Sequence, residues 1–187
     1  MSLTQGTENN ISFAVDGTGS VADVKINGYD YLDFESSVSG GVTEVDATFR
    51  GWQSVYAGYD EYGDPKYVDR FYDLAAIEYE NNNGIVNAEV ELYDEGVTEA
   101  RVELSNAKTD SENIFTMNAY GLVGTSFEPA GEMKFGYRME GNKTIYFASA
   151  CNIEDGQKEE DLLSYEEVVE NGTIKSYKLE MLMDGLV

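Results

Sequence analysis

The feature that most constrains this chain is a strict two-residue alternation over residues 85–104, IVNAEVELYDEGVTEARVEL. Val86, Ala88, Val90 and Leu92 alternate with Asn87, Glu89, Glu91 and Tyr93. Beyond Asp94, Glu95 and Gly96, the residues Thr98, Ala100, Val102 and Leu104 alternate with Glu99, Arg101 and Glu103. Successive strand side chains point to opposite faces, so this period builds strands with one buried and one wet face. A three-residue loop ending in Gly96 closes the pair into a hairpin, because glycine accepts a left-handed backbone. With Tyr93 facing Val97, Leu92 falls opposite Thr98 and Val90 opposite Ala100 on the core side. The wet side then sets Glu89 against Arg101 and Glu91 against Glu99, a like-charge contact that costs stability.

That contact reflects the whole composition: 36 acids against 12 bases, a formal charge of −24. Such a surface repels nucleic-acid phosphates and offers them no basic patch, and an anionic bilayer is an equally poor partner. Three expectations remain: adaptation to high salt, a surface that must not hold DNA, or a mimic of DNA. Disorder is excluded, because 42% of the residues are hydrophobic and 12% aromatic. The length of 187 residues suits one domain with a real core, spanning residues 1–187.

Taken in order, residues 1–10 read as a polar arm with no basic or apolar run, hence no signal peptide. Strands follow at 11–15, 21–27, 29–34 and 42–50, with Asn27-Gly28 as a hairpin turn. Residues 51–64, GWQSVYAGYDEYGD, read as a long ring-rich loop holding Trp52, Tyr56, Tyr59 and Tyr62. Ordered loops of this length are usually functional or interfacial. A flanking α-helix is expected over 64–76: Asp64 caps it, Pro65 suits its first position, and Tyr67, Val68, Phe71, Tyr72, Leu74 and Ala75 recur at helical spacing. Strands resume at 113–123, 132–139 and 143–150, then an acidic loop at 153–161. Residues 162–170 admit a helix, with Ser164 and Glu167 as a capping box, but Asn171-Gly172 favours a terminal hairpin. The fold expected is mainly β: an antiparallel β-sandwich or barrel-like domain with one helix and extended loops and termini.

Chemistry is sparse. The chain has no histidine, which removes the usual general base and the commonest metal ligand. Cys151 is single, so it makes no internal disulfide. No phosphate loop, dinucleotide fingerprint or nucleophile elbow occurs. No catalytic residue and no cofactor is therefore expected, and the chain reads as a non-enzyme. Asp60, Glu61 and Asp64 form the one candidate cation site, by oxygen ligation, though their spacing is not that of an EF-hand. Trp52, Tyr56, Tyr59 and Tyr62 read as a subunit contact, as rings packed on the chain's own sheet, or as a sugar platform.

Residues 29–50, YDYLDFESSVSGGVTEVDATFR, resemble the front half of tail-tube (major tail) proteins of tailed bacterial and archaeal viruses. The shared pattern is a strand, a Ser/Gly loop and a T-E-V-D-A-T segment, followed by a helix and further strands. Phe49, Arg50, Gly51 and Trp52 stand where that family has a second threonine and an acidic turn. The resemblance implies a β-sandwich subunit closing into hexameric rings, stacked as a tube that conducts DNA. It implies a virion location, self-association and contact with other virion proteins, and a salt-adapted archaeal host suits the acid surface. Glu89, Glu91, Glu99 and Glu103 would then form an acidic face for the channel or the surface. The alternatives are another virion protein (capsid decoration or turret), a carbohydrate-binding or adhesin sandwich, and a DNA mimic. Salt screens self-repulsion, so the thermal midpoint should rise by several degrees between low and molar salt. Calorimetry giving the same midpoint in both would remove salt adaptation.

Overall fold

A computed structural model describes residues 2–4, 11–15, 21–152 and 159–181, with side chains placed over 21–151 and 160–181. The described residues are all β: they form thirteen antiparallel strands in sequence order in one open sheet, with no helix among them. They are β1 (Ser2–Thr4), β2 (Ile11–Val15), β3 (Val21–Ile26), β4 (Tyr29–Ser39), β5 (Val42–Tyr59), β6 (Pro65–Asn82) and β7 (Ile85–Asp94). The series continues through β8 (Val97–Lys108), β9 (Glu112–Val123), β10 (Ser126–Glu140), β11 (Lys143–Asn152), β12 (Glu159–Glu170) and β13 (Thr173–Met181). The β class agrees with the sequence. The sandwich is replaced by a single open sheet.

Turn chemistry sets the order. Asn27-Gly28, Asn83-Gly84, Glu95-Gly96 and Asn171-Gly172 all hold both residues at positive φ. That is the two-residue turn whose twist matches adjacent antiparallel strands. Every connection of this kind returns the chain beside the strand it has just left.

Three sequence expectations are corrected. Residues 64–76 lie mostly in strand β6, not in a helix. Tyr67 and Phe71 share one face of β6 while Val68, Tyr72 and Leu74 share the other, so a strand apolar on both faces imitates helical spacing. The 51–64 loop is mostly strand too: β5 runs to Tyr59, and only 60–64 turns. In the β7–β8 hairpin the loop has two residues, because Glu95 itself takes positive φ (50°). Tyr93 therefore faces Thr98, with which its hydroxyl hydrogen-bonds, rather than Val97. Residues 162–170 are strand β12, as the terminal hairpin required. Most of the N-terminal arm, and residues 153–158 of the acidic loop, lie outside the described residues.

Within the single chain, two compact units are distinguished: Met1–Glu80 with Glu89–Arg101, and Asn81–Ala88 with Val102–Val187. In the first unit, Val24, Leu32 and Phe49 lie side by side across β3, β4 and β5, as do Ala22, Phe34 and Ala47. The opposite face there sets Asp23 against Asp33 and Glu35 against Asp46. Like charges directly opposed across strands are destabilising, so the acid burden is built into the register itself. In the second unit, Phe115 and Phe135 stack at 5.3 Å between β9 and β10. Among its described residues only Ile145 and Ser149 of β11 are buried, as only Ala47, Gly51 and Val55 are in the first unit.

Gly136 is the position where backbone and packing both demand glycine. Its φ is +150°, and a Cβ there would run into the carbonyl oxygen of Asn113 on β9. Gly136→Ala should cost about 2–3 kcal/mol in chemical denaturation. Gly121→Ala, where a methyl meets nothing within 4 Å, serves as the near-neutral control. Equal effects at both positions would mean that the Gly136 backbone is not held as described.

Candidate interaction surface

The first unit carries a ring cluster on the face that also holds Asp33 and Thr48. Alternation along β5 directs Arg50 and Trp52 to that side. Strand β4 bulges at Tyr31, since Val24 pairs with Leu32 but Lys25 with Asp30, so the ring contacts rather than alternation place Tyr29 and Tyr31. Phe71 of β6 meets all three rings: its centroid is 5.0 Å from Tyr29, 5.1 Å from Tyr31 and 5.3 Å from Trp52. Tyr29 and Trp52 meet edge to face at 4.8 Å. Such arrangements match the positive ring edge to the negative ring face. Even so, Tyr29 is 43% and Trp52 46% exposed. The rings cover one another from the sides and leave the top of the patch open.

Charged groups frame the patch. Arg50 Nε donates to Asp73 Oδ1 at 2.7 Å. Tyr93 donates its hydroxyl to Glu91 Oε2 at 2.5 Å. Hydrogen bonding to that carboxylate, then burial, then the negative charges of Glu91 and Asp73, push the Tyr93 phenol up to about 12. Gln53, on the opposite face of β5, reaches the β7–β8 turn, donating to Asp94 Oδ1 at 3.1 Å and accepting from the Glu95 amide at 2.9 Å.

The four predicted interface rings are only partly brought together. Trp52 joins the Phe71 cluster. Tyr56 meets Tyr59 at 5.8 Å and Tyr67 of β6 at 6.0 Å. Residues 56 and 59 would normally point to opposite faces. Gly58, at a φ of 97°, interrupts the alternation and lets the two rings meet. Tyr62 stands 81% exposed in the 60–64 turn. Sequence reading missed Tyr29, Tyr31, Phe71 and Tyr67, whose strands meet β5 only once the sheet forms.

The acidic expectations fare differently. With Tyr93 facing Thr98, alternation puts Glu89 and Glu91 on one face of the first unit and Glu99 on the other, while Glu103 belongs to the second unit. Glu103 accepts from the Tyr120 hydroxyl at 3.2 Å. Asp60 Oδ1 accepts the amides of Tyr62 and Asp64 at 2.8 and 3.0 Å, so this carboxylate closes the β5–β6 turn. Among the described residues, no group of three or more acidic, cysteine or histidine side chains could hold a metal ion, the Asp60, Glu61 and Asp64 set included.

The second unit has its own aromatic row. Tyr137, Tyr146 and Tyr165, on β10, β11 and β12, lie at successive centroid distances of 6.0 Å. Leu179 of β13 sits opposite Tyr165 and extends the row. On the other face, Lys143 Nζ holds Glu166 Oε2 at 2.9 Å, and Glu166 lies opposite Lys178. Those cations keep the Glu166 carboxyl below its ordinary range. A depression of 490 Å³ lined by Met117, Met133, Ala150 and Cys151 has Glu132 as its one charged group.

Comparison with protein families, with curated proteins and with solved structures finds no match. The site must therefore be read from its own chemistry: open rings and paired charges.

The Tyr93 phenol gives a test of the frame. Its folded pKa lies above the unfolded value of 10.0, so its contribution to stability is complete below pH 10 and is lost as pH rises through about 12. In tyrosine-labelled protein the Tyr93 ring signal, assigned with Tyr93→Phe, should remain that of the phenol at pH 11. Glu91→Gln should bring its titration back toward 10. Titration of Tyr93 alongside the exposed tyrosines in the unaltered protein would rule out the Glu91 bond.

Proposed function

We propose that this chain is a structural subunit that completes its core by association with copies of itself. The observation that carries the reading is exposed apolar surface: Phe49, Trp52, Tyr56 and Tyr67 in the first unit and Ile174 and Tyr177 in the second are large side chains left open to water. Contiguous exposed apolar surface of this kind marks a contact with another protein surface. A sheet is ordinarily covered by a second layer, and apolar residues on both faces call for one. Leu92, Leu163, Leu179 and Met181 are all among the large side chains left exposed.

Within that class, the tail-tube reading is the specific form we propose. It is supported by the likeness of residues 29–50 and by the suitability of a carboxylate-rich lining for passing DNA. The helix that formed part of that likeness is strand β6, so the support is confined to the β segments. The ring patch also suits a neutral sugar, with Asp73 and Glu91 as hydroxyl acceptors, and glycan binding by a persistent monomer is the rival outcome.

Sedimentation from low to high micromolar concentration should give masses that are multiples of the subunit. A monomer throughout, in low and in molar salt, would overturn the proposal. Negative-stain images showing rings or tubes favour the tail-tube form, and closed dimers exclude it. Trp52→Ala should weaken association about tenfold or more, as truncation of a buried aromatic anchor does, while the circular dichroism of the subunit stays unchanged.

A further inference from the structure

We infer that strand β13 pairs with β13 of a second copy, antiparallel about a two-fold axis at Leu179, joining two sheets edge to edge. The inference rests on the self-association proposed above and names one of its contacts. By strand order β13 is an edge of the sheet, hydrogen-bonded to β12 on one side. All of its residues are exposed, Tyr177 at 75%, Leu179 at 57% and Met181 at 54%. An edge strand presents a row of amide and carbonyl groups that templates another strand, and proteins usually blunt it with proline, short length or unmatched charge. This strand has nine residues and no proline, and it carries both signs of charge.

Symmetry restricts the register. A two-fold axis perpendicular to the sheet keeps each face on its own side, so opposed residues must belong to the same face. An axis at Lys178 would oppose two lysines. An axis at Tyr177 would set Glu180 against Ile174 and Leu179 against Lys175. With the axis at Leu179, Lys178 of each copy faces Glu180 of the other, Tyr177 faces Met181, and Leu179 meets Leu179. Opposite charges directly opposed stabilise a strand pair, as do apolar ones.

Both faces then continue their existing pattern through the seam. On one face the row Tyr137, Tyr146, Tyr165, Leu179 meets its two-fold mate. On the other, the alternating series Lys143, Glu166, Lys178 gains Glu180 of the second copy as its next member. Within the free subunit, Lys178 Nζ and Glu180 Oε1 are 2.7 Å apart on an open surface, with side chains 58% and 62% exposed. The same two residues that discourage a foreign edge are complementary to their own copy.

Charge exchange tests the pairing under the salt condition in which the unaltered protein associates. Lys178→Glu sets two glutamates against two glutamates, and Glu180→Lys sets lysine against lysine. Each variant alone should lose edge dimerisation by more than tenfold in Kd. An equimolar mixture of the two should recover it as a heterodimer, and so should the double exchange Lys178→Glu/Glu180→Lys, which leaves net charge unchanged. Circular dichroism checks that each variant is folded. Singles that dimerise as before, or a mixture and double exchange that stay apart, overturn the β13 pairing. If the unaltered protein is monomeric at every concentration, it is the self-association proposal that fails.

Discussion

Every strand in an antiparallel sheet has two faces, and the rest of this molecule depends on how each is occupied. In a layered domain one face meets the core and the other meets water. Here the strands lie in one open sheet, and apolar side chains are placed on both sides of it: Phe49 on one face of β5, Trp52 on the other. Few of the described residues are buried: Ala47, Gly51 and Val55 in the first unit, Ile145 and Ser149 in the second. Cohesion must come from lateral pairing and cross-strand contacts such as Phe115 on Phe135 and Trp52 on Phe71. Each such aromatic pair adds about 0.5–1.5 kcal/mol beyond its burial, so a series of them is substantial.

Charge works against that cohesion. Asp23 opposite Asp33 and Glu35 opposite Asp46 are like-charged neighbours held in register by apolar rows on the reverse side. At the ring patch Arg50 sits with Asp73, while Lys143 and Glu166 pair on the face opposite the tyrosine row. The Arg50–Asp73 pair lowers the local charge beside exposed rings, which is where another surface can approach a chain of charge −24 at less electrostatic cost.

Turns were the most legible part of the sequence. Asn-Gly pairs announce two-residue hairpins by backbone chemistry alone, and the terminal hairpin at Asn171-Gly172 follows from it. The β7–β8 register was not legible, because it turns on Glu95 adopting a conformation that glutamate rarely takes. Strand β6 was hidden by its own richness: apolar residues on both faces of a strand recur at the same spacings as one face of a helix. The ring patch was half visible. Trp52 and Tyr56 stood out as rings, but Tyr29, Tyr31 and Phe71 come from β4 and β6, and only pairing makes them neighbours. Function was the least legible, since no residue pattern specifies a reaction and the surface acquires meaning only from what it leaves uncovered.

Sequential strand order has a kinetic side. A chain whose strands pair in the order of their synthesis closes short loops and never waits for a distant segment, a topology associated with fast folding. Each new hairpin can dock as it leaves the ribosome, lengthening the sheet by accretion from the first strands onward. Among the described strands β13 is the last to dock, and until its hairpin closes β12 stands as the edge in its place. Edge-to-edge pairing through β13 therefore waits on formation of the β12–β13 hairpin, which ties that contact to a late local folding step.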